Sequence, residues 1–204
     1  GDGVQGTFYE SDRVLTVSIH ETPDHLFPGT GYINELGEGD GLGFSINIPL
    51  YPGTTDTVHR EAFEAVVPPL LESFGPDLVV LQLGVDSMSR DPLAHLMLTT
   101  ASLEHSLKRI RGLYSGDLVA LGGGGYDMDT VARSWTLAWS VLTERDVPEL
   151  LPEEYIVLRS EYGAAGDGQV TLRDPVPDPE PDQDVQREYL NTQLEFLRKH
   201  GIIP

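Results

Sequence analysis

The sequence predicts an α/β fold of three layers, helices on both sides of a mainly parallel sheet, with the sheet incomplete at its N-terminal end. Two observations carry this. Leu78–Leu83 and Leu118–Leu121 are continuous apolar runs of strand length, the pattern of strands covered on both faces. Each is followed by a segment whose apolar residues recur at helical spacing, so strand and helix alternate along the chain.

The elements follow in order. Val14–Ile19 is a β-rich run ending at His20, and Phe44–Ile48 alternates like a strand between turn residues. From Thr57 to Phe74, Ala62, Phe63, Val66, Val67, Leu70 and Leu71 recur at helical spacing, with Pro68-Pro69 predicting a kink or a break. A helix is expected from about Thr100 to Tyr114. The strand 118–121 then runs into Gly122–Gly125, and a helix over about 128–142 carries Val131, Trp135, Ala138 and Trp139 on one face. The stretch DPVPDPEPDQD, Asp174–Asp184, reads as a linker, and Val185–His200 as a short amphipathic helix using Leu190, Leu194 and Leu197. The organisation expected is a catalytic-domain portion over 1–155, an irregular acidic, Pro-rich segment over 156–184 and a terminal helix over 185–204. No internal repeat is present.

At 204 residues with 39% apolar content, the chain is long enough to bury a real core. It has neither an apolar run long enough to span a bilayer nor a basic-then-apolar leader, which predicts a cytoplasmic protein without a membrane partner. Zero Cys excludes disulfides and thiolate metal sites, so a metal here needs His and carboxylate ligands. The 33 acids outnumber the 13 bases for a net charge of −20, and Lys108 and Lys199 are the two lysines. Such a surface repels nucleic acid, whose phosphates need basic side chains. Adaptation to a salt-rich host explains the charge better than an acidic tail does, because acids dot the first 150 residues as well.

Ligands in α/β sheets gather at the carboxyl ends of strands, and three strand ends here carry polar features: Ser18-Ile19-His20, Gly84-Val85-Asp86 and Gly122–Tyr126. Asp86 reads either as a functional carboxylate or as the N-cap of the next helix. The glycine run lacks the Lys-Ser/Thr of a P-loop and the spacing of a dinucleotide fingerprint. It reads as a tight turn, or as backbone free to pass close to a ligand while holding Tyr126 in place. Tyr126 reads as a packing residue or as a hydrogen-bond donor to a developing oxyanion. His20 and His25 read as structural, and His59, His95, His105 and His200 as incidental. There is no serine nucleophile elbow.

Taken in order, these blocks resemble the zinc-dependent histone deacetylase family of the arginase/deacetylase fold, nearest its acetoin-utilisation-type bacterial and archaeal branch. The matching stretches are Gly1-Asp2-Gly3-Val4, Phe8 with Arg13–His20, Phe27–Gly31, Leu81–Pro92 and Leu121–Tyr126 continuing into Val131–Thr136. The likeness runs from residue 1 to about 155. It implies a zinc site, with ferrous iron as the alternative metal, to which Asp86 contributes a ligand. It also implies that Tyr126 polarises the acetyl carbonyl. Phe27 matches a wall of the acetyl-lysine tunnel, Leu93 its rim, and Gly124 and Gly125 line the substrate side. Asp2 matches a carboxylate that orients a catalytic histidine pair. Ser18 and the Ile19 carbonyl match part of a potassium site; Phe8, Ser11, Val14 and Phe44 match a second site for K+ or Na+, with Ser11 where Thr is expected.

The family's Asp-x-His ligand pair and tandem histidines are expected before Gly1, so the resemblance implies the C-terminal portion of a deacetylase. Alone it is expected neither to hold zinc tightly nor to turn over. The implied substrate is acetylated lysine of proteins, or acetylated polyamines and small amines, and the implied partner is the N-terminal segment or a chain supplying it. Two rivals stand beside this: a non-catalytic or split-subunit binding module on the same fold, and a ureohydrolase-like two-metal enzyme. The latter needs further metal-binding acids near Asp86.

Overall fold

The computed structural model describes residues 1–162, 168–175 and 177–204. The chain divides into two units, Gly1–Pro76 with Asp182–Pro204, and Asp77–Pro181. The fold is α/β, and its parallel sheet is present as two separate two-stranded pieces, one in each unit.

In the first unit, α1 (Asp2–Thr7) precedes β1 (Thr16–Glu21), a 3-10 turn (Gly39–Gly41), β2 (Ser45–Leu50) and α2 (Asp56–Phe74). The strands run parallel in register from Thr16 opposite Ser45 to Glu21 opposite Leu50. Every residue of β2 is buried. Ile46, Ile48 and Leu50 form the core with Val58, Ala62, Phe63, Val66 and Leu70 of α2. The last helix of the chain, α6 (Asp184–Lys199), belongs to this unit and buries Leu190, Leu194 and Leu197, the three residues its pattern predicts. The Gln183 side chain ties the entry of α6 down, accepting from the Thr55 N–H at 2.9 Å and donating to the Gly53 carbonyl at 3.1 Å.

The expected break at Pro68-Pro69 does not occur: α2 runs through both prolines to Gly75, which sits at φ 60° and donates to the Leu71 carbonyl. Interior prolines forgo helical hydrogen bonds and cost about 3 kcal/mol each. Burial of Phe63, Val66 and Leu70 on either side holds the helix against that loss.

In the second unit, β3 (Leu78–Leu83), α3 (Thr100–Leu113) and β4 (Asp117–Gly122) form a βαβ crossover, followed by α4 (Met128–Thr143) and α5 (Glu153–Glu161). β3 and β4 pair parallel, Leu78 opposite Asp117 through Leu83 opposite Gly122. Leu78, Val80, Val119 and Leu121 share one face of the sheet and are exposed. α4 meets the end of the other face: the Trp135 indole N–H donates to the Leu83 carbonyl at 3.0 Å, and a β-carbon on Gly122 would stand 3.0 Å from the same ring.

The segment expected to be irregular over 156–184 differs at both ends. Its first residues complete α5, whose acids Glu153 and Glu154 lie in the first turn and Arg159 in the last, as the helix dipole favours. Residues 172–174 are held firmly: Thr100 N–H donates to Asp174 Oδ2 at 3.0 Å, Asp174 N–H returns to Thr100 Oγ1 at 2.8 Å, and Arg133 reaches Asp174 Oδ1 at 2.6 Å. Residues 163–167 and 176 of that segment lie outside the described residues.

Candidate functional site

The predicted site residues fall in both units. Asp86, Leu93, Gly124, Gly125 and Tyr126 lie in the second, and β3 and β4 position them. Because the strands are parallel neighbours, their carboxyl ends lie side by side, and the two loops that leave them meet. Val85 N–H donates to the Gly124 carbonyl at 2.7 Å. The approach is close enough to exclude side chains. A β-carbon on Gly123 would fall 2.6 Å from the Gly84 nitrogen, and one on Gly124 would fall 2.1 Å from Asp86 Oδ2. The glycine run therefore serves close approach to Asp86, and Gly125, at φ 146°, turns the chain toward Tyr126.

Asp86 does not cap the next helix. α3 begins at Thr100, and Thr99 is its cap, accepting from the Ala101 N–H at 3.2 Å. Burial pushes the Asp86 carboxyl above its ordinary range and outweighs its own backbone's opposing effect; the neighbouring charge of Asp91 adds to the rise. Asp86 is thus a half-buried carboxylate at a strand end, with burial opposing its ionised form. Tyr126 is 57% exposed and Leu93 is exposed too. Immediately after Tyr126, Asp127 caps α4, accepting from the Thr130 N–H at 2.7 Å.

Sequence reasoning passed over Asp91. It is buried and accepts from the backbone N–H groups of Leu93 at 2.9 Å, Ala94 at 3.3 Å and Tyr126 at 2.8 Å. The Asp-Pro pair at 91–92 is a turn signal that could have marked it.

In the first unit, Ser18 and Ile19 lie on β1 opposite Asn47 and Ile48. Ser18 Oγ stands 2.9 Å from His20 Nδ1, and His20 Nε2 stands 2.9 Å from the Gly31 carbonyl. A carbonyl accepts only, so Nε2 carries the proton and Nδ1 is left to accept from the serine hydroxyl. Burial holds His20 below its ordinary range and favours this neutral form. His20 thereby acts as a structural brace, as its context in the sequence indicates. It fastens the loop that carries Phe27, whose ring is 92% exposed. Glu35 holds the same loop by accepting from the Gly31 and Tyr32 N–H groups. Asp2 lies in the first turn of α1, exposed and at φ 34°.

The residues matched to a second monovalent-ion site also gather within the first unit. Ser11 N–H donates to the Phe8 carbonyl at 3.0 Å, and Thr16 N–H donates to the Phe44 carbonyl at 2.9 Å. Phe44 N–H donates in turn to the Gly41 carbonyl, and a β-carbon on Gly41 would collide with the Tyr9 carbonyl and the Ser11 nitrogen. Val14 is half-buried nearby in sequence. Among the described residues, no three His, Asp or Glu side chains stand close enough together to hold a metal ion. A catalytic zinc site takes three protein ligands and an open position, more than Asp86 alone supplies. No helix among the described residues is long and apolar enough to cross a membrane.

Comparison with known proteins bears on this geometry. The family model for the histone deacetylase domain matches residues 1–142. Acetoin utilization protein AcuC of Bacillus subtilis (strain 168) is 41% identical over 163 residues, 77% of this chain and 42% of that protein. Histone deacetylase 9 of Arabidopsis thaliana is 38% identical over 157 residues, 76% of this chain and 37% of that protein. The chain therefore spans about two-fifths of the length of these relatives. Among solved structures, an HDAC homolog from Aquifex aeolicus superposes with a TM-score of 0.82 at 32% identity, covering 95% of this chain and 54% of that one. A crystal structure of an HDAC homolog complexed with SAHA matches equally well.

Proposed function

Because the chain belongs to the histone deacetylase family, we propose that it forms part of a zinc-dependent deacetylase. The reaction is hydrolysis of the acetyl amide of acetyl-lysine in cytoplasmic proteins, giving free amine and acetate. Acetylated polyamines or small amines form the second substrate class. The observation that carries the reading is the fit of Asp86 against Gly124, which sets a desolvated carboxylate beside the loop that presents Tyr126. Neither a helix cap nor an ordinary turn calls for that combination.

In this reading Asp86 is one zinc ligand and the remaining ligands come from outside the described residues. When bound, zinc supplies Lewis acidity and lowers the pKa of a coordinated water. Ferrous iron is the alternative metal. Tyr126 donates its hydroxyl proton in a hydrogen bond to the oxygen of the acetyl group as negative charge develops there. Its exposed ring, fixed between the glycine run and the capped start of α4, is free to face an extended side chain. Leu93 stands at the rim of the acetyl-lysine site, where Gly124 and Gly125 leave room for the stem; Phe27, on family resemblance alone, matches a wall residue of such a tunnel. Asp2 orients a catalytic histidine supplied from elsewhere. Ser18 and the Ile19 carbonyl hold one monovalent cation, and backbone oxygens around Phe8, Ser11, Val14 and Phe44 hold another. The net charge of −20 suits cationic, lysine-rich partners and disfavours nucleic acid.

Tyr126→Phe in the complete gene product tests the reading. Turnover of an acetyl-lysine peptide is expected to fall by about two to three decades with zinc content unchanged. Near-normal turnover would refute the role of Tyr126. The 204-residue chain alone is expected to bind zinc weakly and to be inactive. Absence of any turnover in the complete, zinc-loaded protein would favour the second reading, a binding module derived from the same fold.

A further inference from the structure

Four consecutive glycines lead into Tyr126, and glycine backbone restrains its successor less than any other. A side chain that has to meet a reacting atom within a fraction of an ångström therefore needs an anchor from outside the run. On the C-terminal side that anchor is Asp127, which caps α4. On the N-terminal side the Val85 N–H holds Gly124. The amide of Tyr126 itself is held by Asp91, 35 residues away in sequence.

The two oxygens of Asp91 are divided between tasks. Oδ1 accepts from the N–H groups of Leu93 and Ala94, closing a turn over Pro92. Oδ2 accepts from the N–H of Tyr126 at 2.8 Å. A turn of this kind needs one acceptor, and asparagine or serine would serve it equally well. Only a carboxylate offers an acceptor on both sides, because the second position of an asparagine amide is a donor. The requirement for Asp rather than Asn at this position thus comes from Tyr126, not from the turn. Asp91 is also buried, so an N–H left without its acceptor there finds no ready solvent replacement.

Building on the deacetylase reading, we infer that Asp91 is a positioning residue for the reaction. Its single carboxylate locks the Tyr126 backbone and the rim residue Leu93 to one another, so that the oxyanion donor and the mouth of the substrate site are set as one piece. Asp91 touches no reacting atom in this scheme; it acts through Tyr126.

The test is Asp91→Asn, which keeps the volume and the turn acceptor but turns an amide donor toward the Tyr126 N–H. In the complete protein, kcat on an acetyl-lysine peptide is expected to fall about ten- to a hundredfold, with KM changed less than about threefold. In a Tyr126→Phe background the same change is expected to cost less than about a further twofold, because the group it positions is already gone. Amide hydrogen exchange, measured without zinc, gives a readout independent of activity. Tyr126 is expected to lose protection in Asp91→Asn while core amides such as Leu107 and Leu137 keep theirs. Wild-type kcat, a fully additive loss in the Tyr126→Phe background, or unchanged exchange at Tyr126 would each overturn the proposal. If Asp91→Asn loses protection throughout, Asp91→Ser, which retains only the turn acceptor, replaces it with the same expectations. Should the wild-type protein fail to turn over at all, the deacetylase reading falls. The exchange result at Tyr126 then still decides whether Asp91 fixes that residue.

Discussion

The Asp86 carboxylate and the α-carbon of Gly124 are packed so closely that a β-carbon at 124 would stand 2.1 Å from Oδ2. The added methyl cannot move, so the Asp86 side chain must give way. Gly124→Ala is therefore expected to displace the Asp86 carboxylate from its place against the glycine run. A stability loss of about 1–3 kcal/mol is typical of overpacking a tight site, and an affinity loss for zinc of about 10- to 100-fold is typical of disturbing what orients a ligand. Urea unfolding of the metal-free protein and a competitive zinc titration of the complete protein check both. Wild-type behaviour in both would mean that the loops have room the structure denies them.

Asp86 itself is predicted to destabilise the metal-free protein at neutral pH. Its folded-state pKa is raised above the ordinary aspartate value, chiefly by burial. A raised pKa means that the native state binds more protons than the unfolded state between the two values. The associated stability is present below the unfolded value and is lost as pH rises through the folded one. Asp86→Asn, which cannot ionise, is expected to exceed wild type in urea midpoint at pH 7 without metal. Its advantage shrinks as the pH is lowered toward about 4, near the ordinary aspartate range. With the complete site and zinc present the order is expected to reverse, since the ligand is then missing. A metal-free Asp86→Asn protein no more stable than wild type at pH 7 would show that the carboxylate is not held against ionisation.

These two residues also mark what was legible beforehand. The strand-to-acid junction at Asp86 and the glycines before Tyr126 are visible in one dimension, because each is a break in composition at the end of an apolar run. The helices with strong periodicity, α2, α3, α4 and α6, begin and end within a few residues of expectation for the same reason. What stayed hidden depends on partners distant in sequence. Asp91 looks like a turn residue until β3 and β4 are paired and Tyr126 is brought to its second oxygen. Helix α2 survives Pro68-Pro69 because α6 and β1 pack against it, and local propensity carries no trace of that. α5 was missed because its buried anchor is a charged residue, Arg159, rather than an apolar stripe. The exposure of Leu78, Val80, Val119 and Leu121 in this chain was not legible either, because an apolar run predicts burial without naming the element that covers each face.

The anchor of α5 leads to a third prediction. Asp129 is fully buried and accepts from Arg133 Nε at 2.9 Å, from Arg159 at 3.0 Å and from the Tyr155 hydroxyl at 3.0 Å. Burial alone would raise its pKa, but the hydrogen bonds from Arg133 and then Arg159 outweigh it and hold the carboxyl below its usual range. Removing the acid leaves two buried guanidinium groups short of an acceptor. Asp129→Ala is therefore expected to destabilise the protein by roughly 3–5 kcal/mol. The exposed pair of Arg187 with Glu61, at 3.2 Å, provides the contrast. Glu61→Ala is expected to cost less than about 1 kcal/mol, as surface ion pairs do. Urea midpoints of the two variants side by side decide the matter; similar losses would mean that burial does not set the energetics of the Asp129 cluster.

The net charge of −20 supports a final prediction, because like charges on one compact chain repel and that repulsion is relaxed on unfolding. Salt screens it: the Debye length shrinks from about 10 Å at 0.1 M to about 3 Å at 1 M. Raising KCl across that range is expected to raise the Tm of the protein, most steeply at the low end, where the screening length changes most. The buried Asp129 cluster is shielded from mobile ions, so its contribution is expected to persist in high salt while that of Arg187 with Glu61 fades. The two effects separate experimentally. Asp129→Ala should lower Tm by a similar amount at 0.1 M and 1 M KCl, whereas the Tm of wild type itself climbs between them. A wild-type Tm that is flat or falling with KCl would remove the case for a salt-adapted surface and leave the acids without that explanation.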